Sequence, residues 1–93
     1  MCFICGVQNP VGLQMAIYND LDNQQSISHV TVPEHFQGYP GVVHGGIVAT
    51  MLDEISGRAL LMDGSADILM VSVTLEVEYR QPTPTLTPLT AIG

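Results

Sequence analysis

The sequence has no lysine and no tryptophan, and Arg58 and Arg80 are its only arginines. Nine acidic residues bring the formal net charge to −7 at pH 7. Proteins that bind nucleic acids need a basic surface to hold the phosphate backbone. The composition therefore predicts no nucleic-acid partner. A phosphate-bearing ligand would depend on the two arginines or on backbone N–H groups.

Long apolar runs are also missing. No run approaches the roughly 18 apolar residues that a membrane-spanning helix needs. The first residues lack the basic region and the long apolar region of a secretory signal peptide. We therefore expect a cytoplasmic protein with no membrane span.

Cysteine is scarce as well. Cys2 and Cys5 form a single C-x-x-C pair, and the only histidines are His29, His35 and His44. A zinc site on this pair would have to gather its other ligands from distant parts of the chain. We therefore predict no metal site and no cofactor, and we interpret the cysteines as two thiols in an N-terminal turn. Metal or redox chemistry is the less favoured alternative.

Apolar surface is what the sequence has in excess. Hydrophobic residues make up 46% of the 93 residues and charged residues only 12%. A chain of this length forms one small domain with a modest core, which cannot easily hide so much apolar surface. We predict a single domain over residues 1–93 that forms a homo-oligomer.

The hydrophobic periodicity indicates an α+β fold with a hairpin near its start. The predicted elements, in chain order, are strands over 13–18 and 25–32, a helix over about 46–62 that stops near Asp63–Gly64, and strands over 69–80 and 89–92. In the second strand, the apolar face is predicted to contain Ile27, Val32 and either His29 or Val30.

The start of the predicted helix is the most informative segment, because His44, Gly45 and Gly46 lead directly into an apolar run. A helix start has unpaired backbone N–H groups and the positive end of the helix dipole, and glycine lets a polar ligand come close. The segment therefore predicts a binding site for an electrophilic carbonyl. The alternative is an ordinary loop-to-helix junction in which His44 packs or forms a hydrogen bond.

Asp53 lies on the same predicted helical face as Gly46 and Thr50. A carboxylate that is desolvated without a partner is costly, so its place in an apolar helix predicts a functional role. The alternative for Asp53 is a buried acid that pairs with Arg58 or with the end of a neighbouring helix. For Glu54 we favour a solvated helix face.

The spacing of the two candidate groups constrains how they act. Gly45 and Asp53 are eight residues apart, which is about 12 Å along a helix. That is too far for both to act on one carbonyl carbon. Two helices packed antiparallel about a two-fold axis would bring Gly45 of one subunit opposite Asp53 of the other and create two equal sites.

Five segments together resemble a known family. They are Cys2–Gly6, Asn9–Leu13, Phe36–Gly46, Leu52–Glu54 and Val77–Pro82. On these segments the chain resembles the hotdog-fold acyl-CoA thioesterases of the phenylacetate-degradation type and is similar to their thioesterase-superfamily members. The most specific feature is an aspartate nine positions after the histidine of the central block. The resemblance implies a long helix wrapped by an antiparallel sheet, with subunits paired side by side and sites at the subunit boundary.

The resemblance also implies roles for individual residues. Asp53 would be the general base or nucleophile, the Gly45 N–H would donate to the thioester oxygen, and His44 would line the site. Ser72 would help to hold the attacking water. The residues expected to contact substrate are Gly46, Gln37, Gly38, Thr50 and Arg80.

Two features depart from the family pattern. Some relatives have an asparagine six positions before the histidine, where this sequence has Gly38 with Gln37 beside it, so the motif does not supply a second polar contact to the carbonyl. The sequence also ends where family members continue with two or more strands. We therefore expect a truncated domain whose C-terminal strands are missing or come from another chain.

The sequence favours hydrolysis of acyl-CoA thioesters by a homodimer or a dimer of dimers. One alternative is a non-catalytic hotdog module that binds an acyl group or serves in assembly. A second is a dehydratase of the same fold, in which His44 would act with a carboxylate across the interface.

Overall fold

The computed structural model describes residues 2–60 and 74–93. The elements, in chain order, are strand β1 (Tyr18–Asp20), strand β2 (Gln25–Thr31), a 3-10 turn (Glu34–Phe36), helix α1 (Gly45–Leu60) and strand β3 (Pro88–Ile92). The strands form one antiparallel sheet in the order β1-β2-β3, and α1 packs against β2 and β3. This is the predicted α+β architecture. Within the described part, no helix has the length and apolar character needed to cross a membrane.

β1 and β2 form the predicted hairpin, with Tyr18 opposite Ile27. The Asp20 carboxylate stabilises the turn by accepting hydrogen bonds from the backbone and side-chain N–H groups of Asn23, at 3.3 and 2.8 Å. Side-chain oxygens of aspartate commonly hold turns in this way, because they mimic a backbone acceptor.

β1 begins later than predicted because the preceding residues bond to the N-terminal segment. Leu13 and Met15 are buried, as the alternation predicts. Their N–H groups, however, donate to the carbonyls of Phe3 and Ile4, each at 2.7 Å. Gln14 between them has a left-handed backbone with a φ of 55°, which interrupts an extended strand.

The buried face of β2 differs from the predicted one in its first half. Ser26 and Ser28 are fully buried together with Val30 and Val32, whereas Ile27 is only half-buried. Side chains alternate along a strand, so inward-facing valines at 30 and 32 also turn positions 26 and 28 inward. The buried Ser28 hydroxyl is satisfied because it donates to a backbone carbonyl of the segment before β1 at 2.6 Å.

Helix α1 buries one side against the sheet and leaves the other side more exposed. Within residues 45–59 of the helix, Met51 and Ile55 are the buried residues, while Leu52 and Thr50 are exposed. A Cβ atom at Gly93 would collide with the Ile55 carbonyl, so the chain after β3 runs directly against this helix. Among the described residues, the buried apolar residues of the core are Ile4, Leu13, Met15, Val30, Val32, Val43, Met51 and Ile55.

The last predicted strand is confirmed, since β3 pairs antiparallel with β2. The strand predicted over 69–80 is not observed in its described part. Residues 69–73 and the helix end predicted near Asp63–Gly64 lie outside the described residues. Residues 74–80 form no strand because none of the described strands pairs with them, and a strand requires hydrogen bonds to a neighbour.

Replacing Ile55 with alanine tests the core contact between α1 and the sheet. Ile55 is fully buried, so Ile55→Ala should lower the free energy of unfolding by about 2–5 kcal/mol. Urea unfolding followed by circular dichroism measures the change. The control is Leu21→Ala in the hairpin turn, where the side chain is 67% exposed. Equal losses for the two variants would contradict the assigned core.

Candidate active site

A tight loop delivers the chain to the start of α1. The Gly38 N–H donates to the Val42 carbonyl at 2.9 Å, and Gln37 and Val43 form a bridge. The side chain of Gln37 accepts a hydrogen bond from the Gly41 N–H at 3.1 Å. Gly41 has a φ of 78°, a left-handed conformation that glycine adopts without strain. The loop therefore fixes the backbone just before the helix.

His44 is the N-cap residue of α1. Its Nδ1 accepts a hydrogen bond from the Gly46 N–H at 2.9 Å, and its carbonyl accepts from the N–H groups of Ile47 and Val48 at 2.9 and 3.1 Å. A Cβ at position 46 would lie 3.2 Å from Nδ1, so glycine gives the imidazole room. Among the described residues, the Gly45 N–H donates no hydrogen bond.

Tyr79 contacts the same helix start from a distant part of the chain. Its hydroxyl donates to the Gly45 carbonyl at 2.7 Å. Its ring lies 3.6 Å from the position that a Cβ of Gly45 would occupy. In the sequence, Tyr79 belongs only to the strand predicted over 69–80 and to the segment Val77–Pro82, because a contact across 34 residues has no local signal.

A cavity of about 610 Å³ opens beside the helix start. Its walls include four of the predicted site residues, namely Gly38, His44, Gly45 and Arg80, together with Tyr79 and the apolar side chain of Val48. This volume lies in the usual range for small-molecule sites, which are mostly apolar with a few polar groups. The structure thus brings the predicted carbonyl donor, a histidine and an arginine to one cavity.

Of the other predicted site residues, the described ones, Gln37, Gly46, Thr50 and Asp53, do not line this cavity. Thr50 donates its hydroxyl to the Ile47 carbonyl within the helix at 2.8 Å. The Gln37 side chain accepts a hydrogen bond from the Gly41 N–H within the loop, and the Gly46 N–H donates to the His44 imidazole. Asp53 is half-buried on α1, eight residues after Gly45, which corresponds to about 12 Å. Ser72 lies outside the described residues.

Arg80 carries a positive charge at the cavity wall. Its Nε lies 3.2 Å from a carboxylate oxygen of Glu78, and both side chains are highly exposed. An exposed ion pair of this kind is worth little free energy because water and salt screen it. The guanidinium can therefore exchange this partner for an anionic ligand at small cost.

The two cysteines meet helix α1 at a second place. The Cys5 thiol donates to the Glu54 carboxylate at 3.1 Å, and the Cys5 N–H donates to the Cys2 sulfur at 3.2 Å. Burial and the neighbouring Cys2 and Glu54 raise the pKa of Cys5 to about 12, whereas the Cys5 N–H lowers the pKa of Cys2. The prediction of a solvated Glu54 is wrong, because this side chain is half-buried against the N-terminal turn.

Comparisons with known proteins agree with this fold. The profile of the thioesterase superfamily matches residues 40–93. The acyl-coenzyme A thioesterase THEM4 of Mus musculus is 29% identical over 84 residues, which cover 90% of this chain and 35% of the relative. The same protein of Rattus norvegicus is 26% identical over 84 residues, which again cover 90% of this chain and 35% of the relative. This chain thus spans about a third of the length of the curated relatives it matches.

A solved structure supports the same assignment. The thioesterase superfamily protein RHA08564 superposes with a TM-score of 0.79 and 32% identity over 91% of this chain and 42% of that chain. The chain belongs to the thioesterase superfamily, and its α+β fold is of the hotdog type. The family resemblance seen in the sequence is therefore confirmed.

Removing the Tyr79 hydroxyl tests the contact that joins residue 79 to the helix start. Tyr79→Phe should lower the free energy of unfolding by about 1 kcal/mol, the usual value of one hydrogen bond. Tyr39→Phe is the matched control, since Tyr39 is 82% exposed and forms no hydroxyl hydrogen bond within the described part of the chain. Urea unfolding of both variants measures the difference. An unchanged stability in Tyr79→Phe would contradict the contact.

Proposed function

We propose that this chain hydrolyses acyl-CoA thioesters in a homodimer or a dimer of dimers, with each site shared between two subunits. The observation that carries the proposal is the Gly45 N–H, which has no acceptor among the described residues and belongs to the wall of the cavity. It lies at the positive end of the α1 dipole. Family membership supports thioester chemistry, and the names of the matched relatives point to acyl-CoA.

The cavity residues suit the parts of such a substrate. The apolar wall around Val48 would take the acyl group, and the thioester oxygen would accept a hydrogen bond from the Gly45 N–H. Arg80 would contact a phosphate of the CoA moiety, since its exposed pair with Glu78 is easily exchanged. A chain with net charge −7 offers few other groups for phosphates.

The proposed chemistry needs a base as well as a donor. The partner's Asp53 would take a proton from a water, whose oxygen adds to the carbonyl carbon while Ser72 helps to hold it. The Gly45 N–H stabilises the oxyanion that forms, a contribution of about 3 kcal/mol for one good donor. The C–S bond then breaks, and the CoA sulfur takes the proton from the aspartic acid. The carboxylate is restored and the free acid leaves.

Replacing Gly45 with proline removes the proposed donor and keeps the helix start. Proline is favoured at the first helical position, where its missing N–H costs nothing to the helix. Gly45→Pro should lower kcat by about 100-fold or more, whereas the matched Gly45→Ala variant retains the N–H and should lose much less. Release of CoA thiol from short, long and aromatic acyl-CoA esters measures the rates. Equal rates for the two variants would exclude this N–H as the donor.

Asp53→Asn should lower kcat by at least about 100-fold while the chain still binds acyl-CoA, because asparagine keeps the shape of the side chain but cannot take the proton from water. Asp22→Asn, an exposed acid in the hairpin turn, is the control with unchanged activity.

Mixing inactive Asp53→Asn and Gly45→Pro chains tests whether each active site is shared between two subunits. A random mixture of dimers should regain about a quarter of the native activity, because each mixed dimer contains one intact composite site.

Two results would contradict this function. No recovery in the mixture, with subunit exchange shown by native mass spectrometry, would place donor and base in one chain. Acyl-CoA binding by the unmutated chain without any hydrolysis would favour the non-catalytic acyl-binding module instead.

A further inference from the structure

Contrary to the sequence prediction of no metal site, we propose that Cys2, Cys5 and Glu54 form a binding site for a divalent cation of the zinc type, which ties the N-terminal turn to helix α1. One sulfur or oxygen atom from each residue lies within 4.8 Å of the other two. The residues come from two segments that are 49 positions apart at Cys5 and Glu54. This cluster is separate from the proposed thioesterase cavity, since none of the three lines it.

The backbone of the turn presents both sulfur atoms to the helix. The Gly6 N–H closes the turn on the Cys2 carbonyl at 2.9 Å, and the Cys5 N–H donates to the Cys2 sulfur at 3.2 Å. An amide donor to sulfur stabilises a thiolate, which is the form that binds metal. This hydrogen bond favours the thiolate form of Cys2, one of the two proposed sulfur ligands.

The N-terminal turn is held in place independently of any cation. Ile4, between the two cysteines, is buried in the core. The carbonyls of Phe3 and Ile4 accept hydrogen bonds from Leu13 and Met15 at 2.7 Å. A Cβ at Gly12 would collide with the Phe3 carbonyl, so glycine permits this close approach. The ligand positions are thus largely formed before the cation binds, which lowers the entropic cost of binding.

The donor set determines which cation fits. The two thiolates are soft ligands, which zinc accepts and which magnesium and calcium do not, and zinc also binds carboxylate oxygens. Three protein ligands leave a fourth tetrahedral position for a water molecule. On binding, each thiol releases one proton to solvent, and the ligand charge of −3 is partly balanced by the cation. Without a cation, the Cys5 thiol instead donates to Glu54.

Cobalt(II) is the probe that tests the site, because tetrahedral thiolate coordination gives it strong and characteristic absorption. The 93-residue chain, reduced and stripped with a chelator, should bind one Co²⁺ with a sulfur-to-cobalt band, and Zn²⁺ should displace it. Cys2→Ser and Cys5→Ser should each abolish the band. Glu54→Gln should weaken Zn²⁺ binding by more than about tenfold, while Glu34→Gln, an exposed acid of the 3-10 turn, should bind like the native chain.

Thermal unfolding gives a readout that does not depend on the cobalt spectrum. Zn²⁺ should raise the unfolding temperature of the native chain and of Glu34→Gln, because it binds the folded state, and the same Zn²⁺ concentration should raise that of Glu54→Gln much less. A Cys2–Cys5 disulfide that forms readily while the reduced chain binds no metal would overturn the proposal. Equal Zn²⁺ affinities of Glu54→Gln and Glu34→Gln would also overturn it, because they would show that Glu54 is not a ligand.

Discussion

The N-terminus of helix α1 is the feature on which the candidate active site depends. A helix start exposes several N–H groups that need acceptors. His44 satisfies three of them, through its imidazole to Gly46 and its carbonyl to Ile47 and Val48. Within the described part of the chain, the Gly45 N–H has no acceptor, and Gly45 lies in the wall of the cavity. Because His44 accepts hydrogen bonds from the other three N–H groups, a ligand at this helix start would bond to the Gly45 N–H.

The buried side of the helix holds this donor in place. Met51 and Ile55 pack into the core, and the chain after β3 runs close to the Ile55 carbonyl. The same packing brings Glu54, the neighbour of Ile55, against the N-terminal turn with its two thiols. One helix thus supports two separate polar sites, because a helix fixed along one side presents its remaining sides at defined angles.

Local sequence patterns predicted much of the fold. The hairpin, the helix and the last strand follow from apolar periodicity and turn residues, which act over a few positions. The pattern failed where tertiary contacts competed with it. The inward face of β2 is set by Val30 and Val32, so two serines are buried and Ile27 is not. Residues 74–80 pair with none of the described strands, and no local pattern reveals whether a strand will have a neighbour to pair with.

The sequence by itself determined the family, the helix start with its two glycines, and the eight-residue spacing between Gly45 and Asp53 that separates donor from acid in one chain. Only the tertiary structure decided that Tyr79 contacts Gly45 and that Glu54 contacts the cysteines. The reason is physical. Helical spacing is fixed by local geometry, whereas contacts between residues 34 or 49 positions apart depend on how the whole core packs.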